Sequence, residues 1–255
     1  VPGCPCARVP LLPGRLADAA CEATSGPFSA FALTEEQRYE LHTAAWLHDC
    51  GKVTTPEHVV DKGTKLETIY DRVHAVAIRF EVLKRDAKIA YLEALREADS
   101  DAEAARAEYE EKCARYDDDR AFLESANIGG EFMSDERIQR VAEIAKHQWV
   151  GPDGERQNLL TENELYNLSI RKGTLTQEER KIINNHIVMT IEMLEKLPFP
   201  EHLRNVPEFA GGHHERMDGR GYPRGLRGDQ MSVPARMMAI ADVFEALTAC
   251  DRPYK

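Results

Sequence analysis

The sequence lacks any apolar run that approaches the ~20 residues needed to cross a bilayer. It also lacks a signal-peptide pattern, because four prolines interrupt residues 1–16. Composition is 42% hydrophobic and 30% charged, as in globular domains. We therefore expect a globular, cytoplasmic chain with no membrane segment.

Cysteine is scarce as well. Six cysteines in 255 residues are too few for a disulfide scaffold, so we expect them to be reduced. Cys4 and Cys6 form a Cys-x-Cys pair, but no second pair accompanies them, and two ordinary thiols are the favoured interpretation. No pattern of thiolate ligands indicates a structural zinc site.

An excess of basic residues is missing too. The formal net charge is -11, which argues against DNA or RNA binding through a broad basic surface. A small anionic ligand is not excluded, because local charge matters more than the total. The C-terminal part does concentrate cations, at Arg216, Arg220, Arg224, Arg227, Arg236, Arg252 and Lys255.

Strand-like alternation is absent, whereas helical periodicity is frequent, so we predict an all-α fold. Three segments combine a helix-start signal with polar and apolar residues that share one helical face. They are Thr34-x-x-Gln37 with Leu41, Ala44, Ala45 and His48; Thr176-x-x-Glu179, running to about Leu197, with Ile182, Ile183, His186, Met189, Thr190 and Met193; and Ser232-x-Pro234 with Ala235, Met238, Ala239, Asp242 and Ala246.

The segment from 65 to 150 differs in character, because it is rich in Ala, Glu, Lys and Arg. Residues 87–122 are typical of a long solvated helix or a helical hairpin, with a break near 99–101 and a turn at 128–130. We interpret 65–150 as a mostly helical insertion, a spacer or packing arm, between core parts at 1–64 and 151–255.

Polar groups stand on otherwise apolar helix faces at His48, His186 and Asp242. A lone buried histidine is usually a hydrogen-bonded core residue, but an unpaired buried carboxylate costs several kcal/mol unless a cation accompanies it. Asp49 follows His48 directly, and the His213-His214 pair offers two more imidazoles. Four histidines and two aspartates suit iron, manganese or another first-row ion better than calcium.

Three blocks of sequence now point to one family. Leu47–Lys52, LHDCGK, resembles the HD motif of the HD phosphohydrolase superfamily. His213–Pro223, HHERMDGRGYP, resembles the second signature of the HD-GYP family. Residues 240–248 and 251–255 resemble a later segment of that family. The resemblance covers about residues 1–62 and 160–255 and implies a helical HD-domain bundle.

HD-GYP proteins are bacterial phosphodiesterases that hydrolyse the second messenger cyclic di-GMP to linear pGpG, GMP or both, with two or three metal ions. The resemblance implies metal ligands at His48, Asp49, His186, His213, His214 and Asp242, with Asp49 bridging two ions. It implies that Asp49 and Lys52 are catalytic, with Lys52 near the scissile phosphate. Substrate-binding residues would be Lys52, Tyr222, Arg252 and Lys255.

The match departs from the family at Pro5, where an upstream histidine ligand is usual. Proline cannot bind a metal, which argues for two divalent ions, iron or manganese, and against a third. Two alternatives to a cyclic di-GMP phosphodiesterase stay open: a 3′,3′-cyclic GMP-AMP phosphodiesterase, and an impaired domain that only binds a cyclic dinucleotide or a protein. Expected partners are cyclic di-GMP, a second copy of the chain, and a sensory or regulatory domain outside this sequence.

Overall fold

The computed structural model describes residues 12–97 and 101–248. The elements follow one another in this order: α1 (Leu12–Cys21), α2 (Glu35–Leu47), a 3-10 helix (Cys50–Thr54), α3 (Glu57–Val60), α4 (Val73–Ala94), α5 (Ala102–Asn127), α6 (Asp135–Ile144), β1 (Gln148–Val150), β2 (Arg156–Asn158), α7 (Glu162–Leu168), α8 (Gln177–Asn184), α9 (His186–Glu195), a 3-10 helix (Glu201–Leu203), α10 (Val206–Gly211), a 3-10 helix (Gly228–Gln230) and α11 (Val233–Thr248). The predicted all-α fold class is confirmed.

Two compact units divide the chain. Within the described residues, unit 1 comprises 12–60 and 179–248, and unit 2 comprises 61–97 and 101–178. The predicted insertion, 65–150, lies within the sequence of unit 2, and its boundaries stay predictions. Among the described helices, none is both long and apolar enough to span a bilayer.

Local capping signals begin two helices of unit 1 as predicted. The Thr34 hydroxyl accepts a hydrogen bond from the Gln37 amide at 3.2 Å, and the Gln37 side chain accepts one from the Thr34 amide at 2.9 Å. The Ser232 hydroxyl likewise accepts from the Ala235 amide at 3.2 Å, with Pro234 in the first turn of α11. Each cap satisfies amides that have no partner within the helix.

The core of unit 1 is formed by apolar faces of α1, α2, α9, α10 and α11. The predicted face of α2 is confirmed, since its apolar residues are buried. The cluster consists of Ala17, Leu41, Ala44, Ala45, Leu194, Val206, Phe209, Ala210, Met237 and Met238.

The prediction of one helix over 176–197 is wrong. The segment forms α8 and α9, separated at Asn185. Ile182 and Met193, predicted to share a buried face, are 43% and 37% exposed. A break changes the register between the two halves, so residues on either side no longer share one face. The buried residues of α9 are His186, Ile187, Thr190, Ile191 and Leu194.

Unit 2 contains the predicted helical hairpin. Helices α4 and α5 pack along each other, with the rings of Tyr91 and Tyr109 stacked at 5.4 Å. Asp101 caps α5 by accepting two amide hydrogen bonds, whereas the rest of the predicted break lies outside the described residues. After α5, Gly129 has a φ of +73°, which confirms the predicted turn.

A short β-hairpin in unit 2 was not predicted. Strands β1 and β2 pair antiparallel, with Trp149 opposite Gln157. Each strand has three residues, too few for an alternating pattern to be visible in the sequence. Gly154, with a φ of +82°, lies in the connecting turn.

A buried ion pair connects two helices of unit 2. The guanidinium of Arg79 contacts both carboxylate oxygens of Glu164, at 2.7 and 3.1 Å, and also donates to the Leu159 carbonyl at 2.7 Å. Glu164 is only 2% exposed. Burial raises the pKa of Glu164, but the hydrogen bond from Arg79 outweighs it, and the net pKa lies below the ordinary 4.5.

We therefore expect Glu164→Gln to lower the free energy of unfolding by about 3 kcal/mol at pH 7, since it leaves Arg79 uncompensated. The contribution of Glu164 to the free energy of unfolding should be complete above pH 4.5. It should be lost as the pH falls through the lower pKa that Glu164 has in the folded protein. Urea unfolding followed by Trp149 fluorescence, in a Trp46→Phe background, measures both effects in unit 2.

The matched control is Glu110→Gln, which removes the exposed Arg106–Glu110 pair of α5. It should leave the unfolding free energy nearly unchanged, because water already surrounds both groups. Equal losses of unfolding free energy in the two variants would contradict the argument that the Arg79–Glu164 pair matters more because it is buried.

Candidate metal centre

The His48-Asp49 turn lies directly against the start of α9. Helix α2 ends at Leu47, and the following 3-10 helix begins at Cys50. The Gly51 amide donates to the buried Thr190 hydroxyl at 2.9 Å. A Cβ at Gly51 would lie only 2.0 Å from the His186 carbonyl oxygen, so glycine is required for this close approach. The contact brings Asp49 next to His186.

Three of the four predicted histidine ligands are oriented in the same way. In each, Nδ1 donates to a backbone carbonyl three residues earlier, in the last turn of a helix: His48 to Ala45 at 2.8 Å, His186 to Ile183 at 2.5 Å, and His213 to Ala210 at 2.6 Å. A carbonyl can only accept, so the proton lies on Nδ1. The neutral ring then presents the lone pair of Nε2.

These Nε2 atoms surround the Asp49 carboxylate. Oδ1 lies 3.3 Å from Nε2 of His186 and 3.8 Å from Nε2 of His213, and Oδ2 lies 3.4 Å from Nε2 of His48. The ligand atoms of His48, Asp49 and His213 all lie within 4.8 Å of one another. An aspartate at this place can offer one oxygen to each of two sites.

A second group overlaps the first through His213. It comprises His186, His213 and His214, again within 4.8 Å, with Nε2 of His186 and Nε2 of His214 separated by 3.2 Å. Asp242, on α11, lies farther out, with its Oδ2 4.0 Å from Nδ1 of His214. The structure thus brings together all six residues predicted as ligands.

Electrostatics favours neutral imidazoles beside an ionised carboxylate. Burial raises the pKa of Asp49, but the contacts with His186 and His48 and the charge of Lys52 outweigh it, and the net pKa falls below its ordinary value. Burial and the neighbouring histidines lower the pKa of His213, and the same causes lower that of His214 to about 4. Both rings are neutral at pH 7.

The donor set fits a metal ion. Lone pairs of neutral imidazoles face one another and a carboxylate, and acceptors at these separations repel unless a cation lies among them. Nε2 of His213 is buried and has no hydrogen-bond partner among the described residues. A cation held by these atoms would supply the missing interaction.

Lys52 and Tyr222 flank the cluster. The Lys52 ammonium contacts Oδ2 of Asp49 at 2.6 Å and is 41% exposed, so it can also reach a ligand. The ring of Tyr222 stacks on His214, with centroids 4.8 Å apart. Burial, followed by the charges of Asp242 and Asp49, raises the pKa of Tyr222 to about 12.

Several predicted residues lie outside the described part of the chain. They are Arg252 and Lys255, predicted to bind substrate, and Pro5 with its neighbours Cys4 and Cys6. Among the described cysteines, Cys21, Cys50 and Cys113 are free thiols, as the sequence predicted for the chain.

Thr190 was not recognised as a site residue from the sequence. It was assigned to an apolar face, whereas its hydroxyl holds the His48-Asp49 turn through Gly51. The available signal was its position four residues after His186, one helical turn along the same face.

We expect His213→Ala to reduce Mn²⁺ binding more than about tenfold, since His213 belongs to both ligand groups. Elemental analysis of metal per chain after loading measures this. His202→Ala, an exposed histidine of unit 1, should bind as the wild type does. Equal binding by all three proteins would rule out this cluster as the metal centre.

We expect Gly51→Ala to lower the free energy of unfolding by about 2–3 kcal/mol and to weaken Mn²⁺ binding, because the new methyl group pushes the Asp49 turn away from α9. Thermal unfolding and metal titration test this. Gly14→Ala in α1 is the control, since a Cβ there meets nothing within 4 Å. A Gly51→Ala protein as stable as that control would contradict the close approach.

Comparison with known proteins agrees with this geometry. Residues 162–255 match the family model described as HD domain. The match includes His186, the His213-His214 pair and Asp242. It does not include His48 and Asp49, which only the folded structure brings beside them.

Curated relatives include the "3'3'-cGAMP-specific phosphodiesterase 3" of Vibrio cholerae, which is 41% identical over 86 residues, 33% of this chain and 18% of the relative. The "Probable cyclic di-GMP phosphodiesterase" of the same organism is 45% identical over 94 residues, 35% and 21% of the two chains. The "Cyclic di-GMP phosphodiesterase" of Thermotoga maritima is 38% identical over 86 residues, 34% and 23%.

The matched region thus spans about a fifth of the length of these relatives. The HD domain match over residues 162–255 includes the histidine pair and the Gly-Tyr-Pro loop, and the fold brings the His-Asp motif to the same cluster. These matches and this geometry support an assignment to the HD-GYP type, which rests on the HD domain match over residues 162–255.

Proposed function

We propose that this protein is a metal-dependent phosphodiesterase that hydrolyses cyclic di-GMP to linear pGpG, GMP or both, in bacterial second-messenger signalling. The observation that carries the proposal is the convergence of three imidazoles, those of His48, His186 and His213, on the Asp49 carboxylate, with Lys52 at its edge. The names of the relatives, cyclic di-GMP and cyclic GMP-AMP phosphodiesterases, supply the substrate class.

The proposed reaction adds one water molecule across a P–O3′ bond of the cyclic dinucleotide. A new P–O bond forms to the water oxygen, and the bond to the 3′ oxygen breaks. The products are a 5′-phosphate and a free 3′-hydroxyl on one linear dinucleotide. A second, equivalent hydrolysis would give two mononucleotides.

The proposed ligands are His48, Asp49, His186, His213, His214 and Asp242. Two divalent ions held there would polarise the phosphoryl group and acidify the attacking water. Iron or manganese agrees with a donor set of four imidazoles and two carboxylates. Pro5 stands where the family usually has an upstream histidine ligand, and the lack of that ligand argues against a third ion.

Lys52 has two proposed roles. Its ammonium holds Oδ2 of Asp49 at 2.6 Å, which fixes the orientation of the carboxylate. Its exposed side also offers positive charge to a phosphoryl oxygen as negative charge develops there. Asp49, held by Lys52, keeps its two oxygens directed to the two ligand groups.

Tyr222 is the proposed contact for the nucleotide. Its ring is half-buried and stacked on His214, so it lies at the rim of the cluster. An aromatic ring there can pack against a guanine base or a sugar edge. Arg252 and Lys255 complete the proposed phosphate contacts, since arginine can donate two parallel hydrogen bonds to a phosphate.

Cyclic GMP-AMP is the second candidate substrate. The names of the three relatives above differ in this respect, since one specifies 3′,3′-cyclic GMP-AMP and two specify cyclic di-GMP. Both molecules offer the same pair of phosphodiesters and differ in one base. Discrimination would therefore come from contacts to that base.

The proposal extends to the setting of the protein. A cytoplasmic location agrees with the free thiols of the described cysteines. A second copy of the chain and a linked sensory or regulatory domain are the proposed partners.

The direct test incubates the Mn²⁺- or Fe²⁺-loaded protein with cyclic di-GMP or 3′,3′-cyclic GMP-AMP, followed by chromatography. We expect a linear dinucleotide, a mononucleotide or both, and none with the Asp49→Asn variant. Tight binding without any product, with either metal and either substrate, would reject the enzyme and favour a binding module.

We expect Lys52→Met to lower kcat about 100- to 1000-fold while metal per chain is unchanged, because Lys52 stabilises charge in the transition state and is no ligand. Steady-state kinetics and elemental analysis measure the two quantities. The control Lys196→Met removes an exposed lysine of unit 1 and should leave kcat unaltered. If Lys52→Met has the same kcat as the wild type, Lys52 takes no part in the proposed chemistry.

A further inference from the structure

A buried carboxylate that the proposed chemistry does not use lies directly after the His213-His214 pair. Glu215 is 4% exposed. Its Oε1 accepts a hydrogen bond from the Arg224 amide at 2.7 Å, and its Oε2 accepts one from the Leu226 amide at 2.8 Å. Each carboxylate oxygen thus has a backbone donor, which is the strong, charge-assisted type of hydrogen bond.

The loop that Glu215 holds is the one that carries Tyr222. The Tyr222 amide donates to the His214 carbonyl oxygen at 3.2 Å. Amides of residues 222, 224 and 226 therefore all donate to the His214-Glu215 segment. The Glu215 carboxylate continues the row of acceptors that the His214 carbonyl begins.

The loop backbone also lies in close contact with this segment. A Cβ at Gly221 would lie 2.3 Å from the Arg216 amide nitrogen and 2.4 Å from Cα of Glu215. Glycine alone permits this approach. The loop is therefore held at Gly221 by close packing and at 224 and 226 by the carboxylate, with Tyr222 between the two.

We propose that Glu215 is a positioning residue that fixes residues 219–226 and thereby keeps the Tyr222 ring stacked on His214, where it sets the binding of the nucleotide. This inference rests on the proposed function for its substrate. Glu215 belongs to neither candidate group of metal ligands, and both of its oxygens accept backbone hydrogen bonds.

Glu215→Gln is the informative variant. Glutamine has the same shape, but its amide nitrogen cannot accept a hydrogen bond, so one of the two loop amides loses its partner. The Tyr222 loop should then open more often, with the metal ligands unchanged.

Glu40→Gln is the matched control. Glu40 is 3% exposed, lies in unit 1, and accepts two hydrogen bonds from Asn205, from the backbone amide at 2.6 Å and the side-chain amide at 3.2 Å. The same chemical change there removes a comparable buried interaction without touching the Tyr222 loop.

Hydrogen exchange tests the loop without any substrate. In Glu215→Gln, peptides that cover 219–228 should exchange at least about tenfold faster than in wild type, whereas in Glu40→Gln they should not. Unchanged exchange of these peptides in Glu215→Gln would overturn the proposal, as would equal acceleration in both variants.

Steady-state kinetics tests whether Glu215 affects substrate binding by positioning Tyr222. We expect Glu215→Gln to raise KM for cyclic di-GMP about tenfold with kcat within about twofold, because uniform binding is lost. Tyr222→Ala should raise KM as well, and the double variant should be no worse than Tyr222→Ala alone. Additive effects, a fall in kcat at constant KM, or a loss of bound metal would each overturn the proposal.

The two proposals fail in different ways. A wild-type protein without turnover of any cyclic dinucleotide rejects the proposed function, while the exchange result still decides whether Glu215 fixes the loop. Wild-type turnover with normal kinetics in Glu215→Gln rejects the positioning role alone.

Discussion

The centre depends on one interaction that is repeated three times, the hydrogen bond from a histidine Nδ1 to a carbonyl at a helix end. The last carbonyls of a helix have no amide partner within it and need a donor. Ala45, Ile183 and Ala210 supply such carbonyls at the ends of α2, α8 and α10, and the histidine three residues later satisfies each. One bond therefore completes a helix end and also turns Nε2 toward the Asp49 carboxylate. The site therefore requires that each of these three helices ends close to its histidine.

The six candidate ligands could be proposed from sequence motifs, whereas the ends of the helices around them were harder to predict. Motifs reveal candidate ligands because the chemistry demands particular residue types at particular spacings. The fold then brings the six residues together. The start of α2 was predicted correctly because the Thr34–Gln37 cap involves only neighbouring residues. By contrast, the break at Asn185 interrupts a periodic pattern without any glycine or proline to announce it.

Other features were unpredictable because they depend on distant parts of the chain. The need for glycine at position 51 arises from the carbonyl of His186, far along the sequence. The roles of Thr190 and Glu215 follow from backbone amides that only folding brings to them. A polar side chain that contacts backbone leaves no sequence pattern of its own, so a structure is needed to find it.

The division of unit 1 into two chain segments has a consequence for the order of events during synthesis. All described residues of unit 2 precede His186, so this unit can fold while four of the six proposed ligands have not yet been made. At the usual rate of about 5–20 residues per second, roughly ten seconds or more separate His48 and Asp49 from His214. During that interval α2 lacks the surface of α10 against which it packs, and its apolar face is exposed. Closing so long a loop costs little additional free energy, since the cost grows only logarithmically with length. The long separation therefore leaves an apolar surface exposed during synthesis but lowers the stability of the folded protein only slightly.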